Sequence, residues 1–217
     1  FCILFIELCE RLTFYSISAN LVLTDHLDMK IYNATVLAFG FHGICYIVPI
    51  LGGWLADSKV GKYAVILFSG AVYLLGTFLI LLGSIAKTRD NYKIVYIAGL
   101  ILIALGTGGI KANVILLGAE QVSHRGPAAV QAFFSWFYWF ISIGAFLACT
   151  LVVYLQQNVS FFYGNLVPPC SLILALIIFR SGKRSYILHP PAGSVLADIL
   201  NIMKEAIKRS RRPSLSS

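Results

Sequence analysis

The feature that most constrains this chain is the alternation of long apolar segments with short polar connections. A helix needs about 20 apolar residues to cross the ~30 Å hydrocarbon core of a bilayer. Six segments satisfy this length, with bounds to within a few residues of 1–23, 35–55, 63–85, 94–117, 132–154 and 163–179. Hydrophobic residues make up 59% of the chain and charged residues 12%, whereas a soluble domain has roughly 25% charged residues. The sequence therefore predicts an all-α, polytopic transmembrane bundle over residues 1–180, followed by a tail over residues 181–217.

The positive charges are divided unequally between the two sides of this predicted bundle. Of the 17 Lys and Arg, eleven lie beside the second and fourth connections or in the tail with Arg180 just before it, which together hold eight, and four lie beside the other connections. Because Lys and Arg accumulate on the cytoplasmic side, we expect a cytoplasmic tail. The remaining two cations, Arg11 and Lys111, belong to no connection and are predicted to lie within the membrane.

The fifth connection carries the tripeptide Asn158-Val-Ser, which is an acceptor pattern for N-glycosylation. The charge distribution puts this connection on the lumenal or extracellular side, which agrees with glycosylation of Asn158. The alternative is an unmodified polar loop. The five cysteines all fall within predicted spans and have no metal-site spacing. We expect reduced thiols that fill apolar space, with no metal site and no cofactor other than protons as a coupling ion.

Three ionisable residues, Glu7, Glu10 and Arg11, lie close together in the otherwise apolar first segment. On a helix they share one face, and ionisable groups in a bilayer cost about 2.5–3.5 kcal/mol each on insertion scales. Such groups are found facing a bundle interior or a watery cavity, paired with one another. With Lys111 they form a set that is neutral when all are charged, and we interpret it as a proton switch. The alternative is a static ion network that only fixes helix packing.

Four stretches of the sequence match one family: ELCERLTFY, GGWLADSKVGKY, GTGGIKANVILLGAEQV and FFSWFYWFISIGA. With these motifs the chain resembles the N-terminal half of a proton-coupled oligopeptide transporter. That family is a branch of the major facilitator superfamily and includes solute carrier family 15, and the likeness is greatest to its peptide/histidine transporters. The resemblance implies one six-helix half of a two-half carrier, with substrate bound between the halves.

The resemblance also implies roles for individual residues. The proton-coupling set would be Glu7, Glu10, Arg11 and Lys111, with Lys111 pairing with the carboxylates. The substrate pocket would include Arg11, Lys111, Tyr15, Tyr46 and Ser142. In the second connection, Asp57 would cap a helix, and Lys59 or Lys62 would hold the inward gate closed.

The chain departs from the family pattern at several positions. The helix-two histidine of the mammalian peptide branch is Phe39 here, and His42 is out of register with it. The helix-five asparagine of the family is Ser142, whose hydroxyl reaches less far and offers fewer donors than an amide. The family's aspartate after helix four is Glu120.

These observations predict a proton-coupled symporter that moves histidine and/or di- or tripeptides toward the cytosol. We expect the chain to be a fragment, splice form or truncated product whose partner is the missing C-terminal half, and the resemblance favours an endolysosomal over a plasma membrane. A possible amphipathic helix over residues 195–207 would lie on membrane lipid, or be part of a disordered linker. The alternative function is a transport-poor membrane scaffold acting through the tail. Neither an enzyme nor a nucleic-acid-binding protein is expected.

Overall fold

The computed structural model describes residues 1–21, 31–85, 92–188, 190, 193, 199 and 202–204. Within these residues the chain forms six long helices and no strand, as the hydropathy pattern predicts. They are α1 (Cys2–Leu21), α2 (Ile31–Leu55), α3 (Lys62–Ile85), α4 (Tyr92–Ser123), α5 (Pro127–Leu147) and α6 (Phe161–Ser181). Five of them, α2 to α6, are long and apolar enough to cross a membrane. The remaining helix, α1, packs in the same bundle and carries the charged residues Glu7, Glu10 and Arg11.

Glycine sets the two tight connections that the structure describes. Gly61 has φ +86° and separates the π-helical turn at Ala56–Val60 from α3, and Gly126 has φ +94° and separates α4 from α5. These angles are readily adopted only by glycine. Pro127 then takes the first position of α5, where its missing N–H costs nothing. At each of these glycines the chain turns from one helix into the next within a few residues.

The bundle is organised around α1 and α4. Helix α4 packs most extensively against α3 and α2, whereas α1 packs against α5 and α6, and direct contacts between α1 and α4 join the two groups. The apolar core lies between these helices and is centred on buried α4 residues such as Ile103, Ile110 and Val114. By contrast, α2 and α5 leave much of their apolar surface exposed, including Tyr46 and Trp139.

Close contacts at glycines fix the position of α4. A Cβ atom added at Gly52 of α2 would come 2.8 Å from the Cα of Gly109 on α4. One added at Gly76 of α3 would come 2.8 Å from the carbonyl oxygen of Gly99. The glycines of the GTGG run and those near the end of α2 thus allow the two helices to approach closely. This packing holds the α4 backbone that precedes Lys111 against α2 and α3.

The fifth predicted span continues beyond α5 through two π-helical turns, Ala148–Val152 and Leu155–Val159. A buried chain of side-chain hydrogen bonds holds this extension to the rest of the bundle. Gln156 Nε2 donates to Asn165 Oδ1 at 2.9 Å, and Asn165 Nδ2 donates to the hydroxyl of Ser84 at 2.9 Å. The polar chain thus ties the ends of α3, α5 and α6 at the side opposite the tail.

Some predicted features lie outside the described residues. The first and third connections fall largely in the ranges 22–30 and 86–91. Most of the possible amphipathic helix over residues 195–207 does so too, although residues 199 and 202–204 are helical and exposed. The division at residue 180 and the nature of the tail stay predictions.

Candidate functional site: a buried charge cluster

The three ionisable residues of α1 form one buried ion network. Arg11 Nε lies 3.1 Å from Glu7 Oε1, one helical turn away, and Arg11 Nη2 pairs with Glu10 Oε2. All three side chains are buried, and Glu10 has no exposed surface. Because a buried charge is stable only when it is paired, the guanidinium is what allows two carboxylates to occupy this position.

A fourth residue, Thr107 of α4, completes the coordination of Glu10. Its hydroxyl donates a hydrogen bond to Glu10 Oε1, and both side chains are fully buried. Glu10 therefore has one oxygen on Arg11 and the other on Thr107. The second oxygen of Glu7, Oε2, is buried and has no hydrogen-bond partner among the residues that the structure describes.

The ammonium of Lys111 lies beside this network, but its contacts are aromatic. Lys111 Nζ is 4.6 Å from the centre of the Phe14 ring and 4.8 Å from that of Tyr46. Within the described parts of the chain it forms no ion pair with a carboxylate, so the expected pairing of Lys111 with Glu7 or Glu10 is not present in this conformation. In this conformation Arg11 and Thr107 engage three of the four carboxylate oxygens, and the Phe14 ring is in contact with both cations.

Phe14 is a central residue of the site that the sequence analysis did not select. It is buried, lies 5.5 Å from the Arg11 guanidinium carbon, and packs against Tyr15, Phe41 and His42. Phe14 follows Arg11 by three residues, which puts it on the charged face of α1. This spacing could have identified Phe14 as a site residue from the sequence. A ring between two cations stabilises both through its negative face, so Phe14 keeps Arg11 and Lys111 close despite their like charge.

Of the other predicted pocket residues, Tyr46 and Tyr15 lie next to the charge cluster, whereas no contact in the described part of the chain joins Ser142 to it. Tyr46 contacts Lys111 and is largely exposed, and Tyr15 is half-buried with its ring edge on Phe14 at 5.6 Å. Ser142 lies on the exposed surface of α5. His42 hydrogen-bonds through Nδ1 to the Ala38 carbonyl at 2.8 Å and packs on Phe14, while Phe39 is exposed.

The predicted gating residues lie at the tail side of the bundle, away from the charge cluster. Lys62 forms an ion pair with Glu120 that joins the start of α3 to the end of α4. Lys59 lies over the Trp54 ring at 5.7 Å. Asp57 makes no helix-capping hydrogen bond to the described residues, because it sits inside the π-helical turn and Gly61 intervenes before α3 begins. The expected capping role of Asp57 is therefore absent here.

Next to this ion pair is a cavity of about 680 Å³ between the π-helical turn, α3, α4 and the chain that follows α6. That following chain crosses the end of α4, where Gln121 makes two hydrogen bonds with the backbone of Ile187. Gln121 Nε2 donates to the Ile187 carbonyl at 3.0 Å, and the Ile187 N–H donates to Gln121 Oε1 at 2.7 Å. Tyr186 packs on Phe179 at 5.3 Å, and burial raises the pKa of its phenol above the ordinary value.

Asn158 is at the opposite end of the bundle. It lies in the second π-helical turn, is exposed, and its Nδ2 donates to the Tyr154 carbonyl at 3.3 Å. The amide is therefore accessible on the side that faces away from the tail.

The model of the PTR2 domain, described as the POT family, matches residues 63–216. The chain belongs to the POT family. The family part of the resemblance drawn from the sequence motifs is thus confirmed.

Known relatives of this POT-family chain include Peptide transporter family 1 of Drosophila melanogaster, at 36% identity over 214 residues and 93% of the chain. Solute carrier family 15 member 2 of Danio rerio is 35% identical over 211 residues, again covering 93% of the chain. The Drosophila protein is named as a peptide transporter, and neither protein is named as an enzyme. The chain spans 28% and 29% of their respective lengths.

Solved structures confirm the fold of this POT-family chain. The in meso crystal structure of the POT family transporter PepTSo superimposes with a TM-score of 0.78 at 29% identity, covering 88% of this chain and 38% of PepTSo. An auto-inhibited POT family peptide transporter superimposes with a TM-score of 0.76 at 27% identity, covering 87% and 38%. The chain is a multi-pass membrane protein of the all-α transporter fold, as the sequence analysis predicts.

Proposed function

We propose that this chain provides one six-helix half of a proton-coupled symporter that carries histidine and/or di- or tripeptides toward the cytosol. The observation that carries the proposal is the buried network of Glu7, Glu10 and Arg11 beside Lys111 in a POT-family bundle. Buried ionisable residues in a membrane bundle are costly and mark ion pathways and proton relays. The names of the relatives support short peptides as the substrate class.

The charge balance of the cluster explains how a proton could drive movement. Two carboxylates and two cations sum to zero when all are ionised. Adding one proton to a carboxylate leaves a net charge of +1 in a medium of low dielectric constant, where the repulsion between Arg11 and Lys111 is strong. Lys111 is held only by the faces of Phe14 and Tyr46, so it is the cation most able to move in response.

The substrate would bind where the cluster meets the exposed surface. The ammonium of Lys111 and the ring of Tyr46 lie side by side at that surface, and an ammonium is a suitable partner for the carboxylate of histidine or of a peptide. Arg11, Tyr15 and Ser142 complete the proposed pocket on this half. The partner half would supply the facing wall, against the exposed surfaces of α2 and α5.

Orientation, gating and compartment belong to the same proposal. We place the tail in the cytosol, Asn158 on the lumenal side as a glycosylation site, and the protein in an endolysosomal membrane. The ion pair of Lys62 with Glu120, with Lys59 and Asp57 nearby, would stabilise the closed state of the cytoplasmic side. Lipid would contact the outer apolar surfaces and the basic tail.

The proposed function can be tested by a transport assay. The assay uses the longer carrier of which, in our proposal, this chain is one half. Uptake of labelled histidine and of a labelled dipeptide should be faster with acid than with neutral pH outside. Lys111→Ala should abolish the pH-driven component, whereas Arg125→Ala, which removes an exposed cation from the connection between α4 and α5, should leave it unchanged. Equal uptake at both pH values would refute proton coupling. A scaffold would tolerate Lys111→Ala, and no comparison favours that alternative.

A further inference from the structure

The cavity next to the ion pair of Lys62 with Glu120 has a size suited to a small ligand. Its volume is about 680 Å³, and small-molecule sites in proteins typically measure roughly 300–1,000 Å³. The π-helical turn at Ala56–Val60 and the start of α3 form one wall, the end of α4 forms a second, and the chain that follows α6 forms a third. Its described lining includes no residue of the buried charge cluster, so this space is separate from the proposed proton site.

Four charged side chains line this cavity, and two of them lack a counter-ion. Lys62 and Glu120 pair with each other and so neutralise one another. Asp57, on the π-helical turn, makes no hydrogen bond or ion pair with the described residues. Lys183, on the chain that follows α6, has no carboxylate partner among them either, and its ammonium lies over the Tyr63 ring at 5.6 Å. The cavity therefore presents one open negative and one open positive charge on different walls.

Both open charges stand on segments that the structure holds in place. The turn that carries Asp57 is closed by a hydrogen bond of 3.0 Å from the Gly61 N–H to the Ala56 carbonyl. The chain that carries Lys183 is held by the ring of Tyr186, whose centre lies 6.1 Å and 5.3 Å from aromatic rings of α3 and α6. The next residue adds its two hydrogen bonds to α4. The two charges therefore stay on separate walls, and they form no ion pair with each other.

These two charges define the chemistry of a matching ligand. A ligand with only a cationic group would satisfy Asp57 and leave Lys183 open, and a ligand with only an anionic group would do the reverse. A zwitterion satisfies both through charge-assisted hydrogen bonds and brings no net charge into the cavity. The remaining lining is largely apolar, and its members Leu116, Leu117 and Leu188 offer a surface for the apolar part of such a ligand.

We propose that this cavity is a second ligand site, which binds a zwitterion by its ammonium at Asp57 and by its anionic group at Lys183. The site is distinct from the proposed transport pocket and goes beyond the proposed function. Two sources have this chemistry: a free amino acid or short peptide, and the headgroup of an ethanolamine phospholipid. In either case the ligand joins the π-helical turn to the chain that follows α6, beside the ion pair of Lys62 with Glu120.

The site is tested by binding to the purified chain in a non-ionic detergent, with two probes of different origin. The soluble probe is the dipeptide leucylglycine, with its N-acetylated and its C-amidated forms as controls. The lipid probe is dihexanoyl phosphatidylethanolamine, with the matching phosphatidylcholine as control, because a quaternary ammonium has no N–H to donate to Asp57. Binding is read as slower hydrogen exchange in peptides that cover residues 56–61 and 182–188, the two walls that carry the open charges.

We expect at least one probe to bind, and its controls to bind about tenfold or more weakly. Binding of leucylglycine identifies a soluble zwitterion as the ligand, and binding of phosphatidylethanolamine alone identifies a lipid headgroup. Asp57→Asn should cancel the advantage over the N-acetylated or choline control. Lys183→Gln should cancel the advantage over the amidated control or, for the lipid, weaken binding about tenfold. Arg184→Gln, which removes an exposed neighbouring cation that is not part of the lining, should leave binding unchanged.

Three results would overturn the inference. One is that neither probe slows exchange in either wall. The second is binding that both Asp57→Asn and Lys183→Gln leave unchanged. The third is a probe that binds no better than its N-acetylated or choline control, and this comparison needs only the unmodified chain, so it holds even where a variant fails to fold. Because these measurements need no transport, their failure is distinct from equal uptake at acid and neutral pH, which would refute proton coupling.

Discussion

Lys111 and Phe14 are in direct contact across the interface of α4 and α1, with Lys111 Nζ 4.6 Å from the centre of the Phe14 ring. The same ring receives the guanidinium of Arg11 at 5.5 Å. One aromatic side chain thus holds two like charges near two carboxylates. This arrangement makes the position of Lys111 depend on a contact much weaker than a buried ion pair, which suits the movement proposed for this residue.

The first prediction concerns this ring. Phe14→Leu keeps an apolar side chain but removes the π face, so each cation loses an interaction worth about 0.5–2 kcal/mol. We expect proton-driven uptake by the longer carrier to fall several-fold or more. Phe41→Leu is the matched control, because Phe41 stacks on Phe14 at 5.9 Å in the same buried cluster without a cation over its own ring among the described residues. Equal losses in the two variants would show that the ring acts by packing alone.

The second prediction concerns the crossing of α2 and α4. Gly52→Ala places a Cβ atom 2.8 Å from Gly109 Cα, and the backbones must separate to accommodate it. We expect the free energy of unfolding to fall by about 1–3 kcal/mol, measured by thermal unfolding in detergent. In Gly43→Ala, on the same helix, the new Cβ meets no atom within 4 Å, and stability should be unchanged or slightly higher. A Gly52→Ala variant as stable as Gly43→Ala would contradict the close approach.

The third prediction concerns the chain that follows α6. Gln121→Leu removes both hydrogen bonds to Ile187, and a hydrogen bond contributes about 0.5–1.5 kcal/mol net. The amide of Ile187 should therefore exchange its hydrogen several-fold faster, as measured by mass spectrometry of a peptide covering residues 182–188. Gln131→Leu, an exposed glutamine of α5, should not alter that exchange. Unchanged exchange in Gln121→Leu would mean that the contact does not hold this segment in solution.

The fourth prediction concerns glycosylation at Asn158. Expressed in a eukaryotic cell, the protein should carry a glycan that an endoglycosidase removes, seen as a change of mobility on a gel. Ser160→Ala should abolish the change because it destroys the acceptor pattern while leaving Asn158 in place. Val159→Ala keeps the pattern and should remain modified. A protein whose mobility is insensitive to the enzyme would remove the support that glycosylation gives to a lumenal Asn158.

The helices and the charged stripe on α1 could be predicted from the sequence because they depend on local spacing. Six apolar segments of membrane-spanning length give six helices, and each predicted segment corresponds to one. Glu10 and Arg11 follow Glu7 by three and four residues, so helix geometry alone brings both close to it, and the structure pairs Arg11 with each carboxylate. A glycine permits a close approach, but packing decides which glycines make one: a Cβ atom at Gly52 would meet Gly109, whereas one at Gly43 would meet no atom within 4 Å.

The choice of partners across helices could not be predicted in the same way. Lys111 contacts Phe14 and Tyr46 instead of a carboxylate, while Arg11 and Thr107 engage three of the four carboxylate oxygens. Such a choice of partner is decided only when the rotation and depth of each helix are fixed. The same is true of Gln121 and Ile187, which are 66 residues apart.

The sequence by itself thus determined the number of helices and the presence of charges among them, since hydropathy and a 3.6-residue period require nothing from distant residues. Only the tertiary structure decided which oxygen each donor reaches and which carboxylate oxygen stays free, because a buried polar atom takes the partner that packing brings within a few ångströms of it.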